Sequence, residues 1–220
     1  MAATVRIGIV EDEVLMRGML EQTLASVEGV TVVHSVPGVT EAKLVFAPGS
    51  ADLALIDVNL ADGNGVALGV QLQRQDPNLV IMLLSSEDVM GLFTTVQAEA
   101  PRPWSYLSKR SSFARDVLTR AVVAAASGQV VLDPYLVQRS VPRAGSAIAD
   151  LTTAQFGVLR LISEGLSNQA AAERLGISPR SVESHLKSIY GRLGIDGEDQ
   201  NRRVAAVLAF LKQTGRSWHN

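Results

Sequence analysis

Five short β-rich runs alternate with five helical patterns over the first 128 residues, and this regular order is the tightest constraint on what the chain can become. Residues 5–10, 31–36, 53–56, 79–84 and 105–107 are predicted strands, apolar and rich in β-branched side chains. Residues 14–26, 39–46, 66–75, 89–98 and 113–126 carry helical spacing, and pairs such as Pro37-Gly38, Pro48-Gly49 and Asp76-Pro77 punctuate the loops. Such alternation predicts a parallel sheet with helices on both faces, because right-handed crossovers return each helix onto the sheet. Ligands of these sheets sit outside the carboxyl ends of the strands, where the strand order reverses.

The remainder follows another pattern. Pro134, Pro142, Gly145 and several small residues interrupt 133–149, which predicts a domain end followed by a linker. The expected division is a first domain over 1–128, a linker over 129–149 and a second domain over 150–220. Helical patterns then cover 152–164, 168–175, 179–193 and 200–213. Charge divides the same way: residues 1–149 hold 15 acidic and 11 basic side chains, net −4, and residues 150–220 hold 7 and 9, net +2. There is no cysteine, which excludes disulfides and thiolate metal sites and fits a reducing cytoplasm. The first apolar run is too short for a signal peptide, and none approaches the ~20 residues of a membrane span. A soluble cytoplasmic protein with no membrane partner is expected.

Polar residues follow the strands where a core would not choose them. Glu11 and Asp12 follow the first run, Asp57 the third, Ser85 the fourth and Lys109 the fifth. In a parallel sheet all five converge on one rim. Three crowded carboxylates repel one another, so a hard cation such as Mg²⁺ is their natural partner. Asp57 could then attack a phosphoryl group, with Lys109 and the metal offsetting charge on its oxygens.

The runs Ile9-Val10-Glu11-Asp12-Glu13, Leu55-Ile56-Asp57-Val58-Asn59-Leu60 and Tyr106-Leu107-Ser108-Lys109 resemble a receiver domain, an α/β flavodoxin-like (βα)5 doubly wound fold, over about residues 4–128. The resemblance implies that Asp57 is the phosphoacceptor. It implies that Glu11, Asp12 and Asp57, with the backbone carbonyl of Asn59, hold Mg²⁺. Ser85 would be the hydroxyl that moves toward the phosphoryl group, Tyr106 the coupled aromatic switch, and Lys109 the paired cation. Departures from the pattern are Ala61 in place of a usual proline, Ser86 in place of a common alanine, and residues 98–105 in place of a small Gly-Ala approach to the fifth strand. That last stretch contains Pro101, Pro103 and Trp104 and lies on the surface such domains use for signalling. Trp104 is expected to add a large apolar contact there and to raise the resting tendency to dimerise.

In the second half, 168–175, then Gly176-Ile177-Ser178, then 179–193 reads as helix, tight turn, helix. Gly176 suits the left-handed position that ends one helix, Ser178 caps the next, and Pro179 suits its first turn. Val182, Leu186, Ile189 and Leu193 form one stripe; Arg180, Ser184, Lys187 and Gly191 lie opposite, flanked by Glu183 and Ser188. A polar face without bulky apolar groups can enter a major groove. Residues 159–168, 175–186 and 189–195 resemble the LuxR-type helix-turn-helix, a small all-α domain, over about residues 150–212. The resemblance implies that Glu183, Ser184 and Lys187 face bases while Asn168, Arg180, Ser181 and Arg192 meet backbone phosphates. The helix over 200–213 would pair two DNA-bound subunits. Residues 153–157 replace the usual opening, and Glu183 stands at an often basic position, which makes binding lean more on sequence.

The two halves together resemble a two-component response regulator of the NarL/LuxR family. The resemblance implies phosphorylation of Asp57 by a sensor histidine kinase, binding of promoter DNA as a homodimer, RNA polymerase as a further partner, and no enzymatic role in the usual sense. A phosphotransferase or phosphatase using an aspartyl-phosphate commonly carries a second aspartate where Asn59 stands. A regulator gated by ligand or dimerisation without phosphate leaves the intact Glu11, Asp12, Asp57, Ser85 and Lys109 without a purpose. Weaker motifs fall away: 57–63 has its glycine one place late for a calcium loop and Leu68 where the bidentate glutamate belongs, and His34, His185 and His219 show no ligand spacing.

Overall fold

The computed structural model describes residues 4–216 except 87–92, 94 and 98–99, and the chain divides into two compact units, Met1–Ser127 and Gly128–Asn220. In the first, β1 (Val5–Val10), β2 (Val30–Val36), β3 (Leu53–Asp57), β4 (Val80–Ser85) and β5 (Ser105–Ser108) form one sheet in the order β2-β1-β3-β4-β5. Every adjacent pair is parallel. This is the flavodoxin-like, doubly wound arrangement expected from the alternating pattern, with its reversal of order between β1 and β3. β3 and β4 are buried along their whole length, which is why their sequences are continuous apolar runs rather than alternating ones. Helices α1 (Val14–Ala25), α2 (Val39–Val45) and α3 (Gly65–Gln75) follow the first three strands. The helix expected over 113–126 is α5 (Arg115–Ala126), preceded by an unexpected one-turn helix α4 (Lys109–Ser112) capped by Ser108, with Phe113 exposed between them. The helix expected over 89–98 lies largely outside the described residues; Phe93 and 95–97 are helical.

The second unit takes in the segment expected to be a linker. Val130, Val131 and Leu132 are buried, and the Leu132 N–H donates to the Ser163 carbonyl at 2.8 Å. Asp133 caps α6 (Pro134–Gln138), accepting from the N–H groups of Tyr135 and Leu136 at 2.9 and 3.2 Å. β6 (Ser140–Pro142) pairs antiparallel with β7 (Thr214–Arg216), and Arg143 donates its backbone N–H to Gln213 and its Nε to the Thr214 carbonyl. Four helices complete the unit: α7 (Thr153–Ser163), α8 (Asn168–Leu175), α9 (Pro179–Leu193) and α10 (Asp199–Gln213), with α9 packed against the other three. α7 opens with a reciprocal cap in which Thr152 Oγ accepts from Gln155 N–H and Gln155 Oε1 accepts from Thr152 N–H.

Trp104 overturns the surface expectation. Its side chain is fully buried at the entrance to β5. The indole N–H donates to Gln73 Oε1 at 2.8 Å, and Gln73 Nε2 in turn donates to the Leu79 carbonyl at 3.1 Å. The ring fits because Gly69 on α3 leaves room: a Cβ there would lie 2.8 Å from Trp104 Cη2. Gln97 grips the Trp104 backbone from both sides, accepting from its N–H at 2.7 Å and donating to its carbonyl at 2.9 Å. A large apolar body with a satisfied polar tip is a core residue. Trp104→Ala should therefore destabilise the first unit by about 3–5 kcal/mol, checked by chemical denaturation. Unchanged stability with weakened self-association would instead return Trp104 to the surface role.

Candidate functional site

Strand ends bring the acidic residues together at the order reversal. Glu11 follows β1, Asp57 ends β3 and Lys109 follows β5. Lys109 Nζ lies 2.7 Å from Glu11 Oε1 and 2.8 Å from Asp57 Oδ2, and both carboxylates are buried. The other Asp57 oxygen accepts from the Asn59 N–H at 3.3 Å, and Asp12 Oδ2 accepts from the Ala61 N–H at 3.0 Å. Glu11, Asp12 and Asp57 each place an oxygen within 4.8 Å of the others. One ammonium thus faces three carboxylates. Burial pushes the Glu11 carboxyl above its ordinary value, opposed by the Lys109 hydrogen bond and reinforced by the Asp57 charge. Burial also works against the Lys109 ammonium, but its bonds to Asp57 and Glu11 outweigh that and hold its pKa above the usual value. Glu11 Oε2 is buried with no hydrogen-bond partner. An orphaned carboxylate oxygen, an all-oxygen donor set and surplus negative charge fit a hard divalent cation.

The turn after Asp57 is held tightly. A Cβ on Gly65 would fall 1.8 Å from the Asp57 carbonyl oxygen, so only glycine lets α3 begin this close to Asp57. Asp62 accepts from the N–H groups of Val39 and Thr40 at 2.8 Å each, tying the loop that carries Asn59 to the start of α2. Ser85 is buried at the end of β4, its Cα opposite that of Ser108. Tyr106 is buried on β5, its ring 5.8 Å from that of Phe93. Arg17 donates to the Glu11 carbonyl at 2.6 Å; this support, like the Ala61 N–H, escaped the sequence reading because a backbone atom makes the contact.

In the second unit, Gly176 ends α8 at φ 66°, and Ser178 caps α9 by accepting from the Ser181 N–H at 3.0 Å. Val182, Leu186 and Ile189 are buried, joined by Tyr190. Arg180, Glu183, Ser184 and Lys187 are exposed on α9. Ser181 is half-buried, its hydroxyl 2.8 Å from that of Ser178. Exposed Arg192 donates from Nη1 to the Asp150 carbonyl at 2.9 Å. Asn168, half-buried at the start of α8, gives its Oδ1 to Arg203 Nη1 at 3.2 Å.

A doubly wound sheet with an acidic rim, followed by a helix-turn-helix, defines a receiver joined to a DNA reader. Residues 7–122 match the response regulator receiver domain and residues 149–209 match the luxR family of bacterial regulatory proteins. The chain therefore belongs to the NarL/LuxR-type two-component response regulators, with a LuxR-type DNA-binding domain for transcription regulation. It is 29% identical over 220 residues to the nitrate/nitrite response regulator NarP of Escherichia coli K12, covering 97% of this chain and 98% of that protein. It is 28% identical over 217 residues to the DNA-binding transcriptional activator DevR/DosR of Mycobacterium tuberculosis, covering 93% and 94%. Its fold is similar to that of the Salmonella typhimurium response regulator RcsB, with a TM-score of 0.53 at 20% identity, covering 96% and 99% of the two chains. Among the described residues no helix is long and apolar enough to cross a membrane.

The crowded rim makes a thermodynamic prediction. Mg²⁺ at 100 times its Kd should stabilise the receiver by ~2.7 kcal/mol, read as a rise in melting temperature. Glu11→Gln should raise the melting temperature of the metal-free protein, because it removes a buried charge, and should diminish the Mg²⁺-dependent rise. An undiminished rise in this variant would take Glu11 out of the metal site.

Proposed function

We propose that this response regulator is switched by phosphorylation of Asp57 by a sensor histidine kinase, and that the phosphorylated protein binds promoter DNA as a dimer. The observation that carries this reading is Lys109 bridging Glu11 and Asp57 beside the orphaned Glu11 Oε2. Glu11, Asp12, Asp57 and the Asn59 carbonyl would hold Mg²⁺, which when bound offsets negative charge on the phosphoryl oxygens. The Asp57 carboxylate forms a new O–P bond while the donor's N–P bond breaks, and the donor nitrogen leaves with the electron pair and takes up a proton. Lys109, already within hydrogen-bond reach of Asp57, pairs with a phosphoryl oxygen as the charge develops. Ser85 then turns toward the phosphoryl group and Tyr106 follows, reshaping the surface next to Phe93. Exposed Val14 and Leu15 at the start of α1, with exposed Phe113 after α4, offer a protein donor an apolar footing just beyond Asp12 and Lys109.

On the output side, Glu183, Ser184 and Lys187 read base edges, and Asn168, Arg180, Ser181 and Arg192 fix the backbone. α10 pairs the two copies. The DNA-binding domain begins at Gly128 on this reading, with 129–149 as its packed N-terminal arm. The protein works in the cytoplasm and acts on RNA polymerase from the promoter, and its own chemistry is limited to gaining and losing a phosphoryl group.

A small acyl phosphate with Mg²⁺ should label Asp57 with a hydroxylamine-labile group, and Asp57→Asn should abolish labelling while leaving the fold intact. Labelling that persists in Asp57→Asn, or that ignores metal removal, would reject the assignment.

Lys187→Ala should weaken specific DNA binding by ~1–3 kcal/mol and relax preference at one base pair. Equal losses on promoter and random duplex would demote Lys187 to a phosphate contact.

A further inference from the structure

Arg203 sits on α10, and its guanidinium reaches the turn that precedes α8. Nη2 donates to the Leu166 carbonyl, and Nη1 donates to Asn168 Oδ1 at 3.2 Å. Nε is buried without a partner, and burial lowers the Arg203 pKa from its ordinary value. No carboxylate pairs with Arg203 among the described residues. A half-buried arginine without an opposite charge, with one buried N–H left unpaired, is an expensive way to hold a turn.

We propose that Arg203 is a positioning residue for DNA binding, which orients the Asn168 side-chain amide so that its NH₂ group faces the phosphate backbone. The chemistry leaves one choice. A guanidinium has five donors and no acceptor, so Asn168 must turn its oxygen toward Arg203. The amide nitrogen, with both of its donors, then points away from Arg203. A phosphate oxygen accepts and never donates, so this is the orientation that suits it. Without Arg203 the amide flips freely, and half of its orientations present an oxygen to an anion. The second bond, to Leu166, fixes the turn two residues before Asn168, so side chain and backbone are set by one planar fork. Lysine is a poor replacement, since its flexible stem and rotating ammonium lack the planar fork that fixes both acceptors in one geometry.

The inference rests on the reading of Asn168 as a phosphate contact. Its test uses the full chain, with binding to a promoter fragment and to a random duplex measured over a range of salt. The variants are Asn168→Ala, Arg203→Lys, the two combined, and Asn168→Asp. Each of the first two should lower affinity on both duplexes by a similar factor, on the order of 3- to 10-fold. The combined variant should be no weaker than either one, because both remove the same contact. The salt slope should not change, since a neutral amide displaces no counterion. Asn168→Asp keeps the acceptor for Arg203, adds an opposite charge beside it, and loses the donor. It should raise the melting temperature while lowering DNA affinity below that of Asn168→Ala, a divergence that a purely structural role would not produce. An undiminished loss from Arg203→Lys in the Asn168→Ala background would overturn the proposal, as would a salt slope shallower by about one, which would make Arg203 itself a phosphate contact. Should Arg203→Lys not fold, the Asn168 variants still decide. Wild-type binding to DNA with Asn168→Ala unaffected would remove this inference alone, whereas a wild type that binds neither duplex would remove the DNA-binding reading beneath it.

Discussion

The rim of the receiver depends on one cation facing too many anions. Lys109 satisfies one oxygen each of Glu11 and Asp57, but a single ammonium cannot neutralise three carboxylates whose oxygens lie within 4.8 Å of each other. The imbalance is sustained by the sheet, whose parallel register leaves Glu11, Asp57 and Lys109 no other place to go. Electrostatic discomfort of this kind is stored rather than relaxed, and it is released by whatever brings positive charge or consumes a negative one. A divalent cation does the first. The surrounding structure is arranged to keep the imbalance in place: Gly65 admits α3 right up to Asp57, and the middle of the intervening loop is pinned at Ala61, by Asp12, and at Asp62, by Val39 and Thr40.

The same economy governs the second unit, by different means. There the sequence uses caps rather than charge. Thr152, Ser167 and Ser178 each accept from a backbone N–H at the start of a helix, and Gly176 closes α8 in the left-handed conformation. Each device fixes where a helix begins or ends to within a residue, and so fixes the angular position of Glu183, Ser184 and Lys187 on α9. The placement of this exposed face is set by the helix termini.

Much of this was legible in the residues. The acidic rim could be read because strand ends are marked by a change from apolar to polar, and the parallel topology sends every such end to one side. The helix-turn-helix could be read because capping residues and the buried stripe obey local periodicity. What was hidden depends on partners distant in sequence. Trp104 after Pro101 and Pro103 looks like a surface aromatic until Gly69 and Gln73, on a helix more than thirty residues earlier, are seen to receive it. Residues 129–149 look like a linker because their strand, Ser140–Pro142, is completed only by Thr214–Arg216 at the far end of the chain. The start of α5 was expected two residues early because Phe113 continues the apolar spacing yet stays exposed. Arg203 had no signature at all, since a basic residue on a helix reads by default as solvated.

The burial of Trp104 also equips the molecule with an optical gauge. An indole sealed from water, with its N–H given to a side-chain amide, emits at shorter wavelength than one in solvent, and its intensity is sensitive to small shifts of that amide. Trp104 lies two residues before Tyr106 on the same strand, and its backbone is clasped by Gln97 in the helical segment that also carries Phe93. A displacement of Tyr106 that drags β5 or that segment would disturb the clasp and hence the indole. The chain thus carries, without any label, a reporter wired to the strand that bears Tyr106.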